Sequence, residues 1–275
     1  MYKIIAIDAD GTLLNKESRI PNENKEALLK AQNAGVHIAL CSGRSIVTLK
    51  KFADELDLDP DRMHIISFNG AYIMDGRGKV ILDLRMERAA AMYILGKTQR
   101  LNLTTLVYYE VGHGLVRLPA GGDRYWHDLY YGQARINISF TEDYEKSITG
   151  DIYKILLLGE TDKLREAAAY MEKHRHGAEF DMFFSSPHLY EFTSPLSTKG
   201  QGLDFVCRKI GIEMNREAIA IGDSFNDLSM IKAATLGVCM RNGEKEVQAA
   251  ADYITERDNH NCGVAEVVNK FIFKG

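Results

Sequence analysis

Lys3-Ile4-Ile5-Ala6-Ile7-Asp8-Ala9-Asp10-Gly11-Thr12-Leu13-Leu14 is the stretch on which the fold turns. Its isoleucine-rich run, apolar without alternation, is the pattern of a strand buried on both faces of a parallel sheet. The run stops at two carboxylates two residues apart, followed by a glycine. Charge beside a core is costly unless it is paired or holds a metal. The carboxyl ends of parallel strands, however, are where open α/β sheets build ligand sites. Asp8 and Asp10 therefore read as a magnesium site, as a nucleophile with its acid–base partner, or as both. In isolation the same residues would read as a solvated Asp-Ala-Asp-Gly turn.

Outward from this stretch, residues 22–34 read as a helix that follows Pro21 and stops at Gly35. Val36 to Leu40 is a short strand leading into Cys41-Ser42-Gly43-Arg44. A helix covers residues 45–56, and His64 to Phe68 is a third strand ending at Asn69-Gly70-Ala71. Strand alternating with helix builds a parallel sheet covered on both faces. The pattern changes near residue 85. A helix at 85–101, strands within 104–118, a Gly- and Tyr-rich connection from Gly121 to Gly132, a strand at Ile152–Leu158 and an amphipathic helix at 161–173 follow. Extended segments come next at Glu179–Phe184 and Leu189–Thr193. The alternation resumes after Ser197: a helix at 200–210 closed by Gly211, and a strand from Ala218 to Ile221 running into Gly222-Asp223. Shorter elements then lead to a terminal helix at 264–273. The expected architecture is α/β, a Rossmann-like parallel-sheet core of residues 1–84 and 195–275. A separate α+β domain, residues 85–194, interrupts it, as surface loops tolerate.

The chain has 275 residues, enough for two cores. Its 45% hydrophobic and 26% charged content is that of an ordinary globular protein. A net charge of −4 without a basic block argues against a nucleic-acid surface. No apolar run approaches the ~20 residues of a membrane span. The absence of an apolar signal segment in residues 1–20, with four scattered cysteines (Cys41, Cys207, Cys239, Cys262), fits a reducing cytoplasm. A monomer or weak homo-oligomer is the default.

Polar clusters stand at four strand ends: Asp8/Asp10, Ser42-Gly43-Arg44, Asn69-Gly70 and Asp223/Asn226/Asp227. Lys199 precedes the helix that opens at Gly200. In a parallel sheet these ends share one edge, so the clusters can converge. Four aspartates together would raise one another's pKa, and a divalent cation with one lysine relieves that. All-oxygen ligands point to Mg²⁺, which is typically held by one or two carboxylates plus substrate phosphate. Ser42-Gly43 at a helix start offers a hydroxyl and unhindered N–H groups to a phosphate, and Lys199 adds a cation. Asp8 is the natural nucleophile, since carboxylate attack giving an aspartyl-phosphate is established chemistry. Asp10 is placed to protonate the leaving alcohol and then activate water, its pKa raised by burial beside Asp8. Each cluster alone has an ordinary structural reading: Ser42-Gly43 as an N-cap, Asn69-Gly70 as a turn and a minor candidate, Lys199 as a surface lysine. His113, His127, His174, His176 and His188 lack paired ligand spacing.

The order Asp8-Ala9-Asp10-Gly11-Thr12-Leu13-Leu14, Ser42-Gly43-Arg44, Lys199-Gly200 and Gly222-Asp223-Ser224-Phe225-Asn226-Asp227 resembles the haloacid dehalogenase superfamily. More narrowly it resembles the Cof-type sugar-phosphatase branch, in which a large α/β cap lies between the second and third motifs. The resemblance implies a Mg²⁺-dependent phosphomonoester hydrolase acting on a small phosphorylated metabolite, with Asp8 as nucleophile and Asp10 as acid–base. It implies Mg²⁺ on the Asp8 carboxylate, the Asp10 backbone carbonyl and Asp223. Asp227 would orient Lys199 or a metal-bound water, and Ser224 is a weaker metal-site candidate. Phosphate would meet the Ala9 N–H, Ser42, Gly43, Lys199 and Asn226, with Arg44 counted among the substrate-binding residues. Ala9 and Ser42 stand where bulkier apolar residues and Thr are usual, and neither change removes a required group. The alternatives are a phosphomutase of the same superfamily and a non-catalytic sensor of a phosphorylated metabolite. Tyr108, Tyr109, His113, Arg117, Arg124, Tyr125, Trp126 and Tyr190 of the inserted domain are candidates for lining a substrate pocket.

Overall fold

Every residue of the first strand, β1 (Ile4–Asp8), is buried, as a strand flanked on both sides and covered on both faces must be. A computed structural model of the chain describes residues 1–134, 136–175 and 179–273. The chain forms two compact units, residues 1–83 with 197–275, and residues 84–196. In chain order the first unit opens with β1, β2 (His37–Cys41), β3 (Met63–Ser67), β4 (Tyr72–Asp75) and β5 (Val80–Asp83). The second unit holds β6 (Thr104–Tyr109), β7 (His113–Arg117), β8 (Asn137–Phe140), β9 (Ile152–Leu158), β10 (Asp181–Ser186) and β11 (Leu189–Thr193). The first unit resumes with β12 (Ala218–Gly222), β13 (Leu236–Cys239) and β14 (Tyr253–Ile254).

The first unit is an eight-stranded sheet of order β14-β13-β12-β1-β2-β3-β4-β5, a Rossmann-like core whose strands from β14 to β3 are parallel. Asp8 pairs with Cys41, and Cys41 with Ile66, so β1, β2 and β3 end level with one another. The loops after them, and the loop after β12 beside β1, therefore start from one edge. One face of this sheet packs Ala6, Ala39 and Ala220 against Leu203, Val206 and Cys207 of the helix Lys199–Ile210. That helix is capped by Thr198, whose hydroxyl accepts from the Gln201 N–H at 3.2 Å, and closed by Gly211 at φ 75°. Lys199 is its first residue instead of preceding it.

The second unit is a six-stranded sheet of order β10-β11-β9-β6-β7-β8, antiparallel except for the β7–β8 pair. The helices Arg88–Thr98 and Thr161–Lys173 set Ile94, Leu95, Leu164 and Met171 against Val107, Ile155, Leu157 and Phe192. Residues 125–132, expected as part of the connection from Gly121 to Gly132, instead lie in a helix over 125–134. Its tyrosines do not divide into apolar and polar faces, so the periodicity that announces a surface helix is missing. The antiparallel pair β4–β5 also went unforeseen. Its signal was the turn Asp75-Gly76-Arg77-Gly78-Lys79, where Asp75 Oδ1 accepts from the N–H groups of Arg77 and Lys79 at 3.1 and 2.8 Å.

Candidate active site

Lys199 organises the carboxyl edge. Its side chain is fully buried, and Nζ donates to Asp8 Oδ1 at 2.5 Å and to Asp227 Oδ1 at 2.6 Å. A cation at a helix N-terminus opposes the helix dipole, so these two carboxylates are what keep it there. Burial alone would strip its proton, but Asp227 and Asp8 outweigh that and hold the ammonium above the ordinary lysine range. Asp227 is committed on both oxygens, because Oδ2 accepts from the N–H groups of Asp223 and Ser224 at 3.0 Å each. Its oxygens are spent on the chain's own donors, which suits a residue that orients Lys199 better than a metal ligand. The Ser224 hydroxyl likewise accepts from the Asp227 N–H and caps the short turn Phe225–Asp227.

Asp8, Asp223 and Asp227 each place a carboxylate oxygen within 4.8 Å of the others. Three acids meet one amine here. Burial pushes the Asp8 carboxyl well above the usual range against the pull of Lys199, with Asp227, Asp223 and Asp10 adding to the rise. Burial and then Asp227 push Asp223 up to about 7, against the Thr12 hydrogen bond and Lys199. The hard oxygens of Asp8 and Asp223, with a surplus of buried negative charge around one amine, match what a Mg²⁺ ion requires. Gly11, at φ 78°, passes so close to Asp223 that a Cβ would collide with its carboxylate. Thr12, fully buried, donates from Oγ1 to Asp223 Oδ1 at 2.7 Å. Thr12 was quoted in the motif without a role, and its position two residues after Asp10 was the available signal.

Asp10 differs from the expectation. It is exposed, not buried beside Asp8, and is absent from the triad. Its carboxylate forms a fork with Arg44, Nε to Oδ2 and Nη2 to Oδ1, both at 2.6 Å. Arg44, expected on the substrate, is thus committed to Asp10. It is braced by the Phe52 ring 5.6 Å from its guanidinium carbon. The chain leaves β1 through a turn in which Leu13 and Leu14 donate back to the carbonyls of Asp8 and Ala9, and this carries Asp10 outward.

Ser42 is buried, and its Oγ accepts from the Arg44 N–H at 3.2 Å, leaving its own proton to donate. Ala9 is fully buried, and Gly43 lies against Asn69 Oδ1. Asn226 donates from Nδ2 to the same Asn69 oxygen at 3.1 Å. Asn69, a minor candidate in the sequence, is therefore central.

In the second unit Tyr190 belongs to the hydrophobic core beside Phe192, with Tyr109 packed against it, so neither is a free lining residue. The Tyr108 hydroxyl meets that of Tyr130 at 3.0 Å. Arg124 lies over Phe140, Arg117 reaches the Gln99 carbonyl, and Trp126 meets the Tyr125 ring edge-on and the His188 ring at a tilt. His113 is half-buried on β7, with the Tyr109 ring 5.9 Å away. His127 is paired with Asp128, and His174 with the Tyr170 carbonyl. His176 lies outside the described residues.

The family model described as haloacid dehalogenase-like hydrolase matches residues 5–268. The chain belongs to the haloacid dehalogenase-like hydrolases. The chain is 32% identical to the 5-amino-6-(5-phospho-D-ribitylamino)uracil phosphatase YwtE of Bacillus subtilis, over 98% of each protein. It is 30% identical to the phosphatase YwpJ of the same organism, over 98% of this chain and 100% of the relative. Among solved structures, a haloacid dehalogenase-like hydrolase from Bacteroides thetaiotaomicron superposes with a TM-score of 0.85 at 30% identity, covering 98% of this chain and 99% of the other. This haloacid dehalogenase-like protein is a hydrolase of phosphate esters. Among its described residues no helix is long and apolar enough to cross a membrane.

Proposed function

We propose that the protein hydrolyses small phosphorylated metabolites in a Mg²⁺-dependent reaction through an aspartyl-phosphate on Asp8. The observation that carries this reading is the buried Asp8–Lys199–Asp227 chain with the Asp223 carboxylate beside it. Asp8 Oδ1 is held by Lys199, while Oδ2 accepts no hydrogen bond among the described residues. That oxygen attacks phosphorus, the bond from phosphorus to the ester oxygen breaks, and Asp10 gives its proton to the departing alkoxide. Water then attacks the aspartyl-phosphate, Asp10 takes the water proton, and inorganic phosphate leaves as the Asp8 carboxylate is restored. Lys199, Ser42, Asn226 and the N–H groups of Ala9 and Gly43 hold the phosphoryl oxygens.

The Asp8 and Asp223 carboxylates, with the Asp10 carbonyl, would hold Mg²⁺. Bound there, the ion supplies neutralising charge to the phosphoryl oxygens and keeps both carboxylates ionised. Arg44 positions Asp10 through its fork. The inserted unit is assigned to choosing the substrate and excluding water. A relative named for a phosphoribitylamino substrate supports a polyol or sugar phosphate as the class.

The test is phosphate release from a panel of phosphorylated metabolites, with Mg²⁺ and with chelator. Mg²⁺-dependent release of free phosphate supports the reading. Conversion of a sugar 1-phosphate to its 6-phosphate without release would make the protein a mutase. Binding without turnover on any ester, p-nitrophenyl phosphate included, would make it a sensor.

A further inference from the structure

Strand β3 is followed by three consecutive buried residues with positive φ: Phe68 at 48°, Asn69 at 54° and Gly70 at 101°. Only glycine takes this conformation freely. Asparagine tolerates it, and a phenylalanine there is an outlier. Strain of this kind persists where the surroundings over-determine it, and it concentrates at working sites. The surroundings here are specific. The Phe68 N–H donates to the Arg44 carbonyl and the Asn69 N–H to the Ser42 carbonyl, each at 3.0 Å. Asn69 Oδ1 accepts from Asn226 Nδ2 at 3.1 Å, and a Cβ at Gly43 would stand 3.1 Å from that same oxygen. Gly70 passes so near the carbonyl of Thr198, the residue that caps the Lys199 helix, that a Cβ would collide with it.

Apart from the Ala9 N–H, the groups assigned to phosphate come from three places far apart in the sequence: the Ser42-Gly43 loop, the start of the Lys199 helix and the turn that carries Asn226. All three rest on this one turn. We propose that Phe68–Gly70 is the gauge that spaces the phosphate cradle. Asn69 is its positioning residue: the carboxamide aims Asn226, and the left-handed backbone docks the Ser42–Arg44 loop. The proposal rests on the phosphatase reading but makes a separate claim, about phosphate affinity.

Asn69→Gly keeps the left-handed backbone and removes the carboxamide, Asn69→Asp keeps an acceptor, and Asn69→Ala loses both. Each is measured for melting temperature, for KM and kcat with p-nitrophenyl phosphate, and for inhibition by inorganic phosphate. Asn69→Gly is expected to melt with the wild type yet bind phosphate about tenfold more weakly, since one oriented hydrogen bond to a charged group is at stake. Asn69→Gly/Asn226→Ala should bind no more weakly than Asn226→Ala alone, because Asn69 acts through Asn226. Asn69→Ala should also lose melting temperature. Wild-type phosphate affinity in Asn69→Gly, or additive losses in the double variant, would overturn the proposal. A protein that hydrolyses nothing but is stabilised by phosphate, with Asn69→Gly losing that stabilisation, sinks the phosphatase reading and keeps the gauge. A protein that neither hydrolyses esters nor responds to phosphate sinks both.

Discussion

Asp8 ends β1 and Asp10 stands two residues on, in the turn that follows, yet Asp8 has 7% of its side chain exposed and Asp10 has 54%. Each is held by a cation, and the cations differ as their settings do. Lys199, a compact ammonium with no exposure, serves Asp8. Arg44, a planar fork near the surface, serves Asp10. The buried carboxylate is held on one oxygen by Lys199, and its charge is expensive. The exposed one lies open to solvent within the Arg44 fork. A nucleophile needs the first setting and an acid–base group the second. The difference between the two acids is thus set by the turn that carries the chain out of β1, not by residue type.

The sharpest way to break this division is Asp8→Asn. Turnover should fall on the order of 10⁴-fold or more, as nucleophile losses do, with any ester. The melting temperature should hold or rise, because the substitution removes a carboxylate whose charge burial disfavours. Residual Mg²⁺-dependent activity near wild type would remove Asp8 from its role. Lys199→Met attacks the same floor from the other side. It leaves Asp8 and Asp227 buried without their counter-charge, so about 3–5 kcal/mol of stability should be lost on urea unfolding, together with nearly all activity. A Lys199→Met protein as stable as wild type would show that the buried pair does not hold the floor.

At the rim the effects should be smaller and should depend on the substrate. Asp10→Asn is expected to cost about 10²–10⁴-fold with an alkyl phosphate. The loss should be less with p-nitrophenyl phosphate, whose leaving group needs no proton. Stability should move by less than about 1 kcal/mol, as for exposed ion pairs generally. Arg44→Met should follow the same substrate dependence at reduced size, with KM little changed. A KM increase equal for both substrates would instead return Arg44 to the phosphate.

The floor was more legible in the sequence than the rim. Asp8 stood out because a carboxylate ending a buried strand demands a reason; Asp223 and Lys199 joined it because one parallel edge can bring them together, although Lys199 alone reads as a surface lysine. The outward turn of Asp10 is a matter of backbone path after β1, encoded in Gly11 and the hydrogen bonds of Leu13 and Leu14, so residue type alone pointed it inward. Asn69 was discounted because Asn-Gly announces an ordinary turn. What makes it central is contact with Gly43 and Asn226, and contacts across loops have no local signal. The helix at 125–134 stayed hidden for a related reason, tyrosine being a residue type found both inside proteins and at their surface.

Another buried ionisable group sharpens the comparison by solving the problem oppositely. His64, near the start of β3, has no counter-charge bonded to it; its Nε2 meets His37 Nδ1 at 3.3 Å, and its own Nδ1 is buried without a partner. Burial and then His37 lower its pKa to about 4, against Asp75. His37 is lowered too, by burial and by Arg62, against Asp59. Where Lys199 keeps charge by pairing, His64 keeps its place by shedding it. The sign follows from linkage: between its ordinary 6.5 and about 4, the unfolded chain binds a proton that the folded chain refuses. The His64 contribution to stability is therefore whole above pH 6.5 and declines as the pH falls toward 4. From pH 7.5 to 5 the loss from His64 alone should be about 2 kcal/mol. Urea unfolding of wild type and His64→Gln at both pH values isolates it, because carboxylate titrations are common to the two proteins. Equal pH dependence in both would mean that His64 is protonated inside the fold, and that β3 tolerates there a buried charge with no counter-charge bonded to it, where Lys199 has two.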